Sequence, residues 1–258
     1  MKHTKDYRVH LPHHNAAITA EDKEFRASVI EKSAAPAYLS INLKAISTHV
    51  FIRLAKKLSF EPGKQLLELG GGYGYLSSYI KRTWPSTQIT YTDPSEEAVK
   101  KSQQLERYYG VHLDQKWVCA AERTPFRDRT YDTVLMFSSF HHVQDPGQAL
   151  TEIARVLRTD GSAYFLYEPS APRYLHRLYN RHVHREGVVE NYYSLRQYRQ
   201  MFKRAGFTTE ITLVRDPSLR WKKSSAMYYA LLSLLPELVC HLLPCSISIV
   251  ARHSNKNS

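Results

Sequence analysis

The chain has 258 residues, 43% apolar and 23% charged, enough for a full globular core under an ordinary soluble surface. Its formal net charge of +12 favours anionic partners, such as nucleic acid, phosphorylated substrates or an anionic membrane face, or else reflects a merely basic surface. Cys119, Cys240 and Cys245 form no CxxC pair, which argues against a disulfide scaffold and fits a reducing compartment.

Residues 1–20 are polar and histidine-rich with no period, and read as a loose arm with no apolar signal segment, so the expected location is cytoplasmic. His10, His13 and His14 have no completing Cys, Asp or Glu set, and no metal is expected. Helices are expected over 21–33 and 41–58, the second with Leu43, Ile46, Val50, Leu54 and Leu58 largely on one side. This divides the chain into an arm and helical cap, 1–60, and a larger unit, 61–258.

Past Pro62-Gly63, short apolar runs alternate with amphipathic ones. Strands are predicted at Gln65–Leu69, Gln88–Thr92, Trp117–Cys119, Tyr131–Phe137 and Ala163–Tyr167. Helices are predicted at Gly74–Thr83, Pro94–Tyr109 and Pro146–Arg158, with Asp160-Gly161 turning the chain into the fifth strand. Ser194 caps a further helix that Gly206 ends, and Phe207–Val214 and Ser246–Ala251 are the final strands. Two insertions are expected, at about 169–193 and 217–244. Alternation of this kind implies an α/β fold, a parallel sheet with helices on both faces, and a ligand at the carboxyl ends of its strands.

The loop after the first of these strands is Gly70-Gly71-Gly72-Tyr73-Gly74, with Glu68 inside the strand. Gly70, Gly72 and Gly74 have GxGxG spacing, which lets a ligand approach the backbone closely. Asp93 ends the next strand about twenty residues later, where a carboxylate accepts both ribose hydroxyls of an adenosine, or caps the following helix, with Ser95 sharing the role.

The stretch Glu68–Gly74 resembles motif I of the class I S-adenosylmethionine-dependent methyltransferases. Ala121–Phe126, Tyr131–Leu135 and Ala149–Gly161 are similar to later motifs of that family, and the resemblance covers about residues 60–215. The nearest branch is the small-molecule one that includes ubiquinone and menaquinone biosynthesis. The resemblance implies a Rossmann-like sheet of seven mostly parallel strands with an antiparallel last strand. It implies S-adenosyl-L-methionine as cofactor, with Glu68, Gly70, Gly72 and Gly74 at its methionine end and Asp93 on its ribose. Ala121 and Glu122 would flank the adenine, and Phe137 would line the pocket. Ala120 stands where the family often has an Asp for the adenine amino group, so Glu122 or backbone substitutes, or cofactor binding is weaker.

Methyl transfer from a sulfonium needs mainly alignment, and a base only where the nucleophile must lose a proton. His141 and His142, after the fourth strand, and Glu168, ending the fifth, are the candidate catalytic residues. The alternative reading, which is favoured, is loop or core histidines and a cap or ion-pairing carboxylate. Between 173 and 200, Arg173, Tyr174, His176, Arg177, Tyr179, Arg181, His182, His184, Arg185, Tyr192 and Tyr193 form an anion- or sugar-binding wall or a solvated basic helix.

In 217–244, Leu231, Leu235, Leu238 and Leu242 share a helical face opposite Ser233, Glu237 and His241, with Pro236 a kink point. A core-covering or dimer face is favoured there over an interfacial helix beside Trp221, Lys222 and Lys223, and the run is too short to span a bilayer. The expected function is methyl transfer to a small-molecule or glycan acceptor, with oxygen favoured. An RNA methyltransferase and a non-catalytic scaffold at a membrane surface are the alternatives. Nucleic acid is disfavoured, because no RNA-binding module is visible, and a homodimer and peripheral membrane contact through about 221–243 remain open.

Overall fold

Leu66 and Leu67 point to opposite faces of one strand, yet both are wholly buried, which only a sheet covered on both sides permits. The computed structural model describes residues 6–10, 48–176, 190–219 and 223–254. Its strands are β1 Arg8–His10, β2 Gln65–Glu68, β3 Gln88–Asp93, β4 Gln115–Cys119, β5 Tyr131–Phe137, β6 Leu157–Ser170, β7 Phe207–Val214 and β8 Cys245–His253. They form a single sheet in the order β1-β4-β3-β2-β5-β6-β8-β7. All neighbouring pairs from β1 to β6 are parallel, and β8 runs antiparallel to both β6 and β7. The carboxyl ends of β2 to β7 therefore meet at one end of the sheet.

Helix α1 is described over 48–57. It is followed by α2 Tyr75–Thr83, α3 Glu96–Tyr109, α4 Pro146–Val156, α5 Leu195–Arg204, α6 Lys223–Leu234 and α7 Glu237–Cys240. Local chemistry sets their ends. The Ser95 side chain accepts from Ala98 N–H at the start of α3, and Gly110 ends it in the left-handed conformation. Asp145 caps α4 ahead of Pro146, and Ser194 with Gln197 forms a capping box on α5. Leu67, Val134 and Phe165 pack with Ile153 and Phe202 on one face of the sheet, and Leu66, Leu135 and Leu166 with Phe51 and Ile80 on the other.

Three expectations are corrected. The sheet has eight strands, because part of the arm, Arg8–His10, pairs with Trp117–Cys119 at the sheet edge. Three residues carry no periodic signal, and tertiary contacts decide their conformation. Tyr7 donates to Glu96 Oε1 at 2.6 Å, Arg8 lies 5.1 Å over the Trp117 ring, and Asp6 pairs with Lys116. Second, Asp160-Gly161 makes no turn outside the sheet but sits in a bulge within β6, where Tyr131 pairs with Leu157 and Thr133 with Ser162. A Cβ on Gly161 would lie 2.9 Å from the Asp132 carbonyl oxygen.

Third, of the leucine face of 231–242 only Leu235 packs against the core. Pro236 splits the expected helix into α6 and α7, and Leu231, Leu238 and Leu242 are exposed while Tyr229, Leu232 and Cys240 are buried. The helix expected over 21–33, His13, His14, Trp221 and Lys222 lie outside the described residues.

Lys116 is the most buried cation of the arm's anchorage, 2% exposed in its side chain, and bonds Glu106 at 2.7 Å as well as Asp6. Lys116→Ala leaves Glu106 buried without it, and should destabilise the fold by roughly 3–5 kcal/mol in urea unfolding. Lys57→Ala, at a partly exposed position, should change stability little.

Candidate active site

The glycine loop leaves β2 at the carboxyl end of the sheet. Gly70, Gly72 and Gly74 have φ of 65°, 58° and 70°, a region that side chains disfavour. Gly71 is constrained for a different reason, since a Cβ there would lie 2.8 Å from Glu68 Cδ and 2.7 Å from Tyr91 Cε2. The GxGxG spacing leaves out this second requirement.

Glu68 is wholly buried beneath the loop, where Oε2 accepts the Ser77 N–H at 3.1 Å and the Ser77 hydroxyl. Burial pushes its carboxyl up to about 7. Tyr91, also fully buried, donates its hydroxyl to the Gly72 carbonyl. At the end of β3, Asp93 Oδ2 accepts the Gly72 N–H at 2.8 Å and Oδ1 the Ser95 N–H at 2.9 Å. Ser95, not Asp93, caps α3.

The end of β5 meets the same loop. Ser139 Oγ donates to the Leu69 carbonyl at 3.3 Å, and a Cβ on Gly70 would meet Ser139 Cβ at 3.0 Å. From β6, Glu168 reaches under this turn, fully buried. Its Oε1 accepts Ser139 N–H at 2.9 Å and Phe140 N–H at 3.0 Å. Its Oε2 accepts His141 N–H at 3.2 Å and lies 2.8 Å from His141 Nδ1. Burial raises the Glu168 carboxyl, but the His141 ring and the backbone donors outweigh it and hold it below the usual range.

A bulge between Phe165 and Glu168 sets this aim. Tyr167 there has φ of 62°, and its ring stacks on Phe137 with centroids 5.9 Å apart. The His142 ring centre is 4.1 Å from that of His141, and Asn191 N–H donates to the His141 carbonyl at 2.8 Å.

The structure thus brings Glu68, Gly70, Gly72, Gly74 and Asp93 together at the ends of β2 and β3. Phe137, His141 and Glu168 gather at the ends of β5 and β6, with Ser139 joining the two groups. Past β4, Ala121 packs into the core, and Glu122 Oε1 accepts the N–H groups of Gln144 and Asp145 at 3.0 and 3.3 Å, holding the turn before α4. Of the basic wall, Arg173, Tyr174, His176, Tyr192 and Tyr193 are described, while Arg177, Tyr179, Arg181, His182, His184 and Arg185 lie outside the described residues. Ser77, Tyr91, Ser139 and Tyr167 were missed from sequence. Only Ser77, one helical turn behind the loop, stands where local spacing could have flagged it. Among the described residues no group of three His, Cys, Asp or Glu could hold a metal.

A glycine-rich loop curling around one strand end, with a carboxylate at the neighbouring strand end, fits an adenosine-type cofactor. The comparisons agree. A family model described as a methyltransferase domain matches residues 42–210. The fatty-acid O-methyltransferase of Mycolicibacterium smegmatis is 36% identical over 112 residues, 43% of this chain and 39% of that protein. The ubiquinone/menaquinone biosynthesis C-methyltransferase of Desulfotalea psychrophila is 31% identical over 102 residues, 39% of this chain and 40% of that one. The chain thus spans less than half the length of either relative.

A solved complex of the Haloferax volcanii Trm112 methyltransferase activator with a methyltransferase shares the fold, with a TM-score of 0.66 and 18% identity over 94% of this chain and 99% of that one. The chain belongs to the class I S-adenosylmethionine-dependent methyltransferases, whose cofactor is S-adenosyl-L-methionine.

Glu68 gives a pH test. Its carboxyl moves from 4.5 to about 7 on folding, so the stability held by its proton is complete below 4.5 and lost as pH rises through 7. Glu68→Gln keeps an acceptor for Ser77 and cannot ionise. Relative to that variant, the wild type should lose up to about 3 kcal/mol between pH 5 and 8, seen as a falling melting temperature. A constant difference across that range contradicts the buried, protonated carboxyl.

Proposed function

We propose that this chain transfers a methyl group from S-adenosylmethionine to a hydroxyl oxygen of a largely apolar small molecule. The observation that carries the reading is the buried His141–Glu168 pair beside the glycine loop. A carboxylate only accepts, so Nδ1 of the neutral ring keeps its proton and donates it in a hydrogen bond to Glu168, which leaves Nε2 as the acceptor nitrogen. An imidazole so oriented removes a hydroxyl proton as the new bond forms, and Glu168 stabilises the resulting imidazolium. A thioether or tertiary amine would need no such base. The stacked Phe137 and Tyr167 rings supply an apolar wall on the same side. By their names, the two relatives work on a fatty acid and in quinone biosynthesis, which supports an apolar acceptor.

The cofactor brings a methyl group on a cationic sulfur. Gly70, Gly72 and Gly74 would hold its amino-acid end, Asp93 its ribose and Ala121 its adenine side, with Phe137 closing the pocket. Glu68, bonded to Ser77 under the loop, keeps the loop's shape. Glu122 keeps the turn before α4 in place and so borders the adenine side without reaching across it. His142, its ring tilted 42° against that of His141, limits the ring's rotation.

Two measurements test this. S-adenosylhomocysteine should raise the melting temperature of the wild type, and Asp93→Ala should abolish the rise; no rise in the wild type overturns the cofactor reading for this chain. With labelled S-adenosylmethionine and a panel of phenols, alcohols and fatty acids, label should appear on a hydroxyl. His141→Asn should lower kcat by roughly 10²–10⁴ while leaving the thermal shift intact. Full activity in His141→Asn would discard the base.

A further inference from the structure

Helix α6 is apolar on both sides. Tyr229 and Leu232 are buried against the sheet, yet Met227, Leu231 and Leu234 face outward, and Leu234 is 81% exposed. Across Pro236, Leu238, Val239 and Leu242 extend the outward stripe, with Leu238 78% exposed. Apart from Lys223, Ser224 and Ser233, the exposed side chains of α6 are apolar, so the sheet covers only part of its apolar surface. The stripe is contiguous, unlike the single apolar residues scattered over any surface.

We propose that the α6–α7 hairpin is an interfacial anchor that seats the protein on an anionic lipid surface. Charge selects this occupant. Lys223 opens α6, and Arg215 Nη1 donates to the Leu235 carbonyl at 2.8 Å. Arg173 precedes Tyr174, whose hydroxyl donates to the Leu242 carbonyl at 2.5 Å. Two carboxylates lie nearby: Asp216, paired with Arg53 at 2.9 Å, and Glu237. A recess of about 510 Å³ beside the stripe, lined by Lys57, Arg215, Ser233, Asp216 and Glu237 among others, offers a phosphate headgroup two cations and a hydroxyl. Around the stripe the cations Lys57, Arg173, Arg215 and Lys223 outnumber the carboxylates Asp216 and Glu237, so a second copy would set the same positive excess against it, whereas anionic lipid attracts it.

The anchor also has a place in the reaction. Cys245 pairs with Ser170 and Ser246 with Val214, so the hairpin leaves and rejoins the sheet at the end that carries the site. Tyr167, against Phe137, donates its hydroxyl to the Leu219 carbonyl at 3.2 Å. The stripe and the proposed acceptor wall thus share one end of the molecule, where an acceptor dissolved in a bilayer would be presented. Among the described residues no helix is long and apolar enough to cross a membrane, so the contact is peripheral.

The test is co-sedimentation of the full chain with vesicles of phosphatidylcholine containing about one-third phosphatidylglycerol, and with phosphatidylcholine alone. The wild type should bind the anionic vesicles roughly tenfold or more tightly than the neutral ones. The double variant Leu234→Glu/Leu238→Glu changes only exposed side chains and should lose that binding at unchanged circular dichroism. Failure to bind either vesicle, variant binding equal to wild type, or a dimer that the variant dissolves without any vesicle binding would each overturn the anchor. Cofactor-induced thermal shift, measured on the same samples, reports separately on the methyltransferase reading.

Discussion

An ionised carboxylate survives in a dry interior only where donors replace its water. At Glu168 four donors do so: the N–H groups of Ser139, Phe140 and His141, and the His141 ring. That set of bonds ties the end of β6 to the turn after β5, and Ser139 carries the tie onward to the Leu69 carbonyl and Gly70. The glycine loop, the aromatic wall and His141 therefore rest on one support. Its cost is local backbone strain, at Ser138 and Tyr167, both with positive φ and each of order 1–3 kcal/mol. Strain of that size persists because the buried charge has nowhere else to find its donors.

Glu68 shows how much depends on those donors. It is as deeply buried as Glu168 and sits one strand away from β5, but its bonds come from a single residue, Ser77. Its carboxyl rises to about 7 while that of Glu168 falls. Two identical side chains thus do different work at one sheet end: one is a near-neutral brace under the loop, and the other a fixed negative charge that orients an imidazole.

The site and the outer surface are continuous. The insertion between β7 and β8 gives the Leu219 carbonyl to the Tyr167 hydroxyl and the Leu242 carbonyl to the Tyr174 hydroxyl, and turns Leu231, Leu234 and Leu238 outward. The same short segment supports the Tyr167 and Tyr174 hydroxyls from within and offers an apolar face from without.

Much of the fold was legible in the residue pattern. The strands β2, β3, β5, β7 and β8, the caps at Ser95 and Ser194, and the stop at Gly110 follow from periods and capping chemistry that act over a few residues. Glu68, the three spaced glycines and Asp93 were legible for the same reason, since loop and carboxylate belong to one strand-loop-helix-strand run. The contacts of Glu168 with His141 were not, because 27 residues and a whole helix separate them and only strand pairing brings them within 2.8 Å. Nor was the strand at Arg8–His10, the packing demand at Gly71 or the outward turn of Leu231 and Leu238. A sequence determines directly what short-range backbone geometry and side-chain period can encode: the elements, their order and the cofactor loop. Which buried carboxylate is charged, and which apolar face is left uncovered, was decided only by tertiary packing, because both depend on how many donors or apolar neighbours arrive from distant parts of the chain.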